Sequence, residues 1–208
     1  MIVKHGALRK VSLAAFLLFI SCGAVKLTYE YNSRAYTWPR TYNMKLFVGE
    51  FKESSDSIFG EMELIGTEHD MKNVFVIEPR DFLRRAFVKE LETSNLFPIV
   101  KDEKNADIVL MGTLDRFYVN IKVHKIPQQP NGIEYQFRTK GYIKASLYLY
   151  ENEKLVYKVS AGSEIEDKGE MFLFGHWEDI VRRELDRMLQ PMIFAVLDSV
   201  ESFLATRR

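Results

Sequence analysis

The sequence predicts an α/β (α+β) fold: a mixed, largely antiparallel sheet with two main helices packed on one face. Three observations carry it. Long alternating segments in the second half read as a meander of extended strands. A four-residue apolar spacing between Pro79 and Asn95 reads as an amphipathic helix, and a second spacing of this kind fills the last thirty or so residues. At 47% apolar and 13% aromatic residues, the chain has the material for a hydrophobic core without disulfides, because Cys22 is its only cysteine.

The elements follow in order. Met44 to Phe51 reads as a strand, with Leu46 and Val48 on one side and Phe47 on the other. Glu61 to Ile65 reads as a short edge strand and Asn73 to Ile77 as a stronger one. Pro79 and Asp81 then open a helix, proline suiting a first turn and an early acid suiting the positive helix end. Leu83, Phe87 and Leu91 form its buried stripe, and Asn95 supplies a left-handed stop. Leu96 to Val100 begins a strand. The segment from Asp107 to about Val123 is a long strand, with Phe117, Val119 and Ile121 opposite Tyr118, Asn120 and Lys122. Tyr135 to Tyr150 and Leu155 to Ile165 complete the meander, joined by a tight turn at Asn152 and Glu153. A polar loop is expected around Asp167 to Glu170. The final helix carries Trp177, Val181, Leu185, Met188, Met192, Val196, Val200 and Phe203, with a kink or break at Pro191.

The N-terminus has a separate logic. Lys4, Arg9 and Lys10 precede a nearly unbroken apolar run, Val11 to Ile20, then Ser21 and Cys22. A basic end, a short apolar stretch and a small residue before a cleavage point make a bacterial secretion signal. The run is too short to span a bilayer of roughly 30 Å. With Cys22 behind it, the segment resembles the lipobox of lipoprotein precursors, whose cysteine is acylated and becomes the first residue of the mature chain. Phe19 stands where that motif usually has leucine. Gly23 after the cysteine resembles the signal for sorting to the outer membrane. The expected organisation is a signal over 1–21, a tether over 22–43 and a single periplasmic domain over 44–208.

Composition narrows the partners. The chain has 29 basic and 29 acidic residues. Loss of the signal removes three basic residues and no acid, leaving 26 against 29, a net charge of −3. No basic surplus points to nucleic acid or to an anionic membrane surface, so contact with a bilayer is expected through the lipid alone. No stretch beyond residue 22 reads as long and apolar enough to cross a membrane as a helix. The aromatic-rich tether, with Tyr29, Tyr31, Tyr36, Trp38 and Tyr42, is expected to pack on the domain's own surface.

The middle third carries a recognisable phrase. FLRRAFVKELETSNLFPIV over 82–100 leads into NADIVLMGTLDRFYV over 105–119. It resembles a group of bacterial envelope lipoproteins: the curli-export outer-membrane lipoprotein, the lipoprotein activators of penicillin-binding proteins, and the N-terminal domain of the Tol-system propeller protein. The resemblance implies a compact domain with two helices on one face of a mixed sheet, and binding to other envelope proteins rather than catalysis. The chain lacks the extra amphipathic segments of the curli exporter, so pore formation is not implied. Within the phrase, Asp107 is placed to accept backbone hydrogen bonds at a loop edge. Ile108, Val109 and Leu110 read as buried on both faces, and Gly112 as a close approach or bulge.

Catalytic and cofactor chemistry find no footing. Glu68-His69-Asp70 has metal-ligand residue types, but neighbours on a strand point to opposite faces and cannot converge on one ion, and the segment is expected to be a polar loop. His176-Trp177-Glu178-Asp179 reads as a helix start. There is no Gly-x-Ser-x-Gly elbow and no glycine-rich phosphate loop. Glu164 and Glu166 share a strand face and read as solvated. No enzyme, cofactor or metal is expected. The candidate binding surface is instead the tyrosine face of the long hairpin, Tyr142, Tyr148 and Tyr150, opposite Ile143, Ala145, Leu147 and Leu149. The expected role is a lipid-anchored, non-catalytic accessory or assembly lipoprotein that binds other envelope proteins. The alternative is a lipid-handling auxiliary lipoprotein of an ABC-type lipid transport system.

Overall fold

The computed structural model describes residues 26–54, 60–64, 67–126, 133–172 and 177–207. In chain order it contains β1 (Leu46–Glu53), β2 (Glu61–Leu64), β3 (Thr67–Asp70), a short α1 (Met71–Val74), α2 (Pro79–Ser94), a 3-10 turn (Glu103–Asn105), β4 (Ile108–Lys125), β5 (Ile133–Glu151), β6 (Lys154–Phe172) and α3 (Trp177–Ala205). The strand order is β3-β2-β4-β5-β6, with β1 also paired to β4. β1 and β2 both run parallel to β4, one beside Ile108–Leu114 and the other beside Ile121–Val123. All other pairings are antiparallel. At about 3.3 Å per residue, β5 and β6 each extend roughly 60 Å.

α2 and α3 lie on the same face of this sheet. α2 buries Phe82 against Phe117 of β4 and Phe87 against Phe51 of β1. α3 sets Met188 over Gly141 of β5, where an added Cβ would stand 3.1 Å from the sulfur. The α2 boundaries follow from local chemistry: Pro79 occupies the first turn, where a missing N–H costs nothing, and Asn95 closes the helix at φ 52°. Arg84, at the flank of the stripe, donates to the carbonyls of Gly49 (2.7 Å) and Val48 (2.8 Å). Those carbonyls sit where β1 slips register against β4. The guanidinium thus ties α2 to β1 at that irregularity.

The meander is built as its alternation dictates, with one switch. Phe117, Val119, Ile121 and Val123 face the helices, as do Leu110 and Leu114. The two sets differ in parity because Asp115 is an extra residue between Leu114 and Arg116. Ile108 and Leu110 are buried, but Val109 is only half-buried: among the described residues, helices cover one face of this sheet and not the other. The Asn152–Glu153 turn has φ of 48° and 64°, the paired positive values that match the twist of a two-residue hairpin. Asp107 accepts a 2.7 Å hydrogen bond from the Lys45 N–H. Gly112 is required by the Phe51 ring, which a Cβ there would meet at 2.6 Å.

Six local expectations change. Asn73–Ile77 is not a strand: Met71–Val74 is a helical turn that drops Val74 and Phe75 into the core. A short apolar run serves either structure, and here the strand beside β2 is the polar Thr67–Asp70, in place of the expected loop. β2 is accordingly internal to the strand order rather than an edge. Leu96–Val100 contributes one isolated bridge, Ile99 to Leu46. The segment Asp167–Glu170 is strand, since β6 continues to Phe172. α3 runs through Pro191 as one element; Pro191 is exposed, so the hydrogen bond it cannot make falls on the solvent side.

By length and composition, Glu178–Ala205 would also suffice to cross a membrane, contrary to the sequence reading. It is instead a core helix. Val181, Leu185, Met188, Met192 and Val196 are fully buried, as are Leu189 and Ile193 beside that stripe. The second buried flank exists because residues 26–43 lie across α2 and α3. Leu27, Tyr29, Tyr31, Trp38 and Tyr42 all belong to the core. The Tyr29 hydroxyl donates to Asp186 (2.6 Å), Tyr31 to Glu90 (3.1 Å) and Tyr42 to Glu201 (3.3 Å). Gln190 donates to the Asn32 carbonyl at 2.8 Å. Leu27 exchanges backbone hydrogen bonds with Val74 and Val76. The aromatic packing expected of this stretch is therefore its means of attachment, and the core begins before residue 44.

Candidate functional site: the open face of the sheet

Side chains on the face without helices form cross-strand rows. At the turn end, Phe47 of β1 stands opposite Val109, Val109 opposite Tyr150, and Tyr150 opposite Leu155. Leu155 is 52% exposed. In the next row Met111 faces Tyr148 and Tyr148 faces Lys158, whose ammonium lies 5.1 Å from the ring centroid. Tyr148 and Tyr150 are half-buried. A surface of two tyrosines, Phe47, Val109, Met111 and Leu155 therefore occupies one end of the face.

Tyr142 does not join it. Six residues from Tyr148 along β5, it lies about 20 Å away by strand rise, opposite Tyr118 and Glu164. A polar centre intervenes. Asp115 accepts from Ser146 Oγ at 2.6 Å, and Ser146 and Ser160 share a further 2.6 Å hydrogen bond. The far end is charged. One row reads Glu68, Glu63, Lys122, Arg138, Lys168 across β3, β2, β4, β5 and β6. Lys122 pairs with Glu63 at 3.1 Å. Arg138 stands between two lysines, an arrangement that costs free energy in a sheet.

Phe47, Met111 and Leu155 were not among the sequence candidates. Strand parity placed Phe47 on this side, but only the register shows which residues of three distant segments meet there. Cys22 and His176 lie outside the described residues. Glu68 and Asp70 face the acids Glu63 and Glu61, whereas His69 pairs with the buried Met62. Glu164 and Glu166 are exposed on the open face. Among the described residues, no three His, Cys, Asp or Glu side chains are grouped to hold a metal ion.

No protein-family model and no curated protein matches the sequence. Solved structures do share its fold. A Xanthomonas campestris protein of the family DUF330 is similar over 89% of this chain and 98% of that chain, with a TM-score of 0.57 at 12% identity. That likeness supports the α+β architecture. A hypothetical protein from Chlamydia trachomatis (TM-score 0.47, 7% identity, 79% of this chain and 99% of that) and rare lipoprotein B from Shewanella oneidensis (TM-score 0.30, 14% identity, 78% and 96%) superpose too loosely to carry an argument. The narrower resemblance to the curli-export, Tol and penicillin-binding-protein-activator group is not carried by these structures.

The titratable groups whose pKa values depart from the ordinary lie on the helix side. Burial alone would raise the Asp167 carboxyl, but hydrogen bonds from Arg187 and the Lys168 N–H, with the charges of Arg187 and Arg183, outweigh it and hold its pKa below the ordinary value. Asp186 goes the other way: burial raises it despite hydrogen bonds from Tyr29 and the Asn32 N–H. Burial likewise pushes the Tyr29 and Tyr31 hydroxyls above the usual tyrosine range, so both remain donors. The signs decide the acid behaviour. Stability owed to the depressed Asp167 is complete above its unfolded value of 3.8 and lost as the pH falls through the folded value. Asp167→Asn should therefore flatten the loss of stability below about pH 4, read from urea unfolding at a series of pH values. An unchanged acid limb would assign the loss elsewhere.

Proposed function

We propose that this chain is a lipid-anchored, non-catalytic accessory lipoprotein of the bacterial envelope that binds other envelope proteins through the open face of its sheet. Acylation of Cys22 would tether the domain, and the Gly23 signal favours the periplasmic side of the outer membrane. The observation that carries the binding role is the one-sided sheet. Its helix face is sealed by α2, α3 and the N-terminal segment, while the other presents Tyr148 and Tyr150 in a rigid apolar cluster with Met111, Val109, Phe47 and Leu155. Half-exposed aromatics on regular strands lose little side-chain freedom on binding, which is why such residues dominate interface energetics. Tyr142 and Tyr118 form a second, separate contact point. The narrower kinship with the curli-export and Tol-associated lipoproteins rests on the phrase over 82–119 and belongs to the same proposal.

Crosslinking in intact cells, followed by mass spectrometry, tests the role. Tyr148→Ser with Tyr150→Ser should leave the melting temperature nearly unchanged and abolish the crosslinked envelope partners. An identical set of partners would remove this face from the proposal. Cys22→Ser should move the protein from the membrane fraction to the soluble fraction, because one chain's anchoring energy, about 0.8 kcal/mol per buried CH₂, is lost with it. Retention in the membrane would show that another element holds the chain there.

A further inference from the structure

We propose that a second copy of this chain pairs with the free edge of β6, antiparallel and in register about a two-fold axis at Gly162. Among the described residues β6 ends the strand order and has β5 as its only strand neighbour. It is 19 residues long and contains no proline. Such an edge is a template for a further strand. On its helix side Tyr157, Val159, Ala161 and Ile165 are only partly buried against the core, whereas Ala145, Leu147 and Leu149 of β5 are at most 1% exposed. A neighbouring strand would cover what remains.

The side chains select the occupant and the register. For a two-fold axis perpendicular to the sheet, residue i of one copy meets residue j of the other with a constant sum, and both must point to the same face. With the axis at Gly162, Lys158 meets Glu166 twice, Ser160 meets Glu164, Val159 meets Ile165 and Ala161 meets Ser163. No like charges oppose one another between residues 157 and 167. Moving the axis to Ser163 sets Lys158 against Lys168 and Val159 against Asp167. Moving it to Glu164 sets that carboxylate against itself. At Ala161, Lys158 still finds Glu164, but Val159 meets Ser163 and Lys154 meets Lys168. Of these four registers, only the axis at Gly162 sets Lys158 opposite Glu166 and leaves no like charges opposed; an axis at Ser160 also avoids like charges, but it pairs Lys154 with Glu166 over a shorter overlap. The pairing aligns the two open faces and stands whether or not Cys22 is acylated.

The test uses the full chain in detergent, with mass measured by sedimentation equilibrium and native mass spectrometry. The unaltered protein should be a dimer at tens of micromolar, the range expected of a modest interface. Lys158→Glu places acid against acid at both ends of the pairing and Glu166→Lys places base against base, so each alone should dimerise at least about tenfold more weakly. Mixed in equal amounts, they should form a heterodimer with the affinity of the unaltered protein, since both 158–166 contacts are then complementary. Damage within one chain, where Glu166 stands opposite Lys140 and Lys158 lies over Tyr148, would not be repaired by mixing. A monomeric unaltered protein up to about 100 µM, a single variant that dimerises normally, or no heterodimer on mixing would each overturn the proposal.

Discussion

Deleting residues 26–43 should unfold the domain, although the stretch has the composition of a tether. Leu27, Tyr29, Tyr31, Trp38 and Tyr42 are each at most 8% exposed. Burial of a large apolar side chain contributes about 1.5–3 kcal/mol, and domains of this size are stable by only about 5–15 kcal/mol in total. The deletion would also strip polar partners from the helices. Glu90, with no exposed surface, would lose the Tyr31 hydroxyl and the Tyr36 N–H, and Glu201 would lose the Tyr42 hydroxyl. Removing one partner of a buried charged group costs more than the bond contributed. Circular dichroism of a chain joined directly from its anchor to Met44 should show no cooperative melt, and the protein should bind a hydrophobic dye. A melt within a few degrees of the full chain would make the segment a tether after all.

Phe82→Ala should be the most damaging single substitution in the helix-facing core, at about 3–5 kcal/mol. Its ring is 1% exposed and touches three other rings: Tyr29 at 5.4 Å, Phe75 at 5.3 Å and Phe117 at 5.4 Å between centroids. Those partners come from the N-terminal segment, the turn after α1, and β4. The cavity would therefore open where three separate stretches meet, and none can collapse into it without leaving its own contacts. Phe203→Ala offers the contrast. Its ring stacks on Tyr157 at 4.3 Å but is partly exposed at the β6 edge, so about 1 kcal/mol is expected from a comparable aromatic pair. Urea midpoints for the two variants should differ clearly; equal shifts would remove the claim that Phe82 joins three elements.

The candidate site divides along the same line. Alternation in β5 put Tyr148 and Tyr150 on the face away from Leu147 and Leu149, and burial agrees. The alternation could not separate Tyr142 from them in function, because period two says which side a residue takes and not what lies across from it. Phe47 and Leu155 complete the apolar cluster from strands 62 residues before and one turn after Val109 and Tyr150 respectively; their meeting depends on the parallel pairing of β1 with β4 and on the irregularity in β6 beside Tyr150. The Asp115 bulge is equally silent in the sequence, yet it sets which half of β4 presents even-numbered residues to the helices.

What the sequence by itself determined is whatever obeys a short-range rule. Proline at the start and asparagine at the end of α2, the alternation of β4 to β6, the Asn152–Glu153 turn and the apolar run before Cys22 each depend on neighbours a few residues apart. Tertiary structure alone decided that Thr67–Asp70 rather than Asn73–Ile77 extends the sheet, that the Tyr29 hydroxyl finds Asp186 across 157 positions of sequence, and that among the described residues the helices cover one sheet face only. The reason is that local stereochemistry fixes the direction of each side chain, whereas the identity of its neighbour depends on which distant segment best satisfies the remaining hydrogen bonds and excludes water.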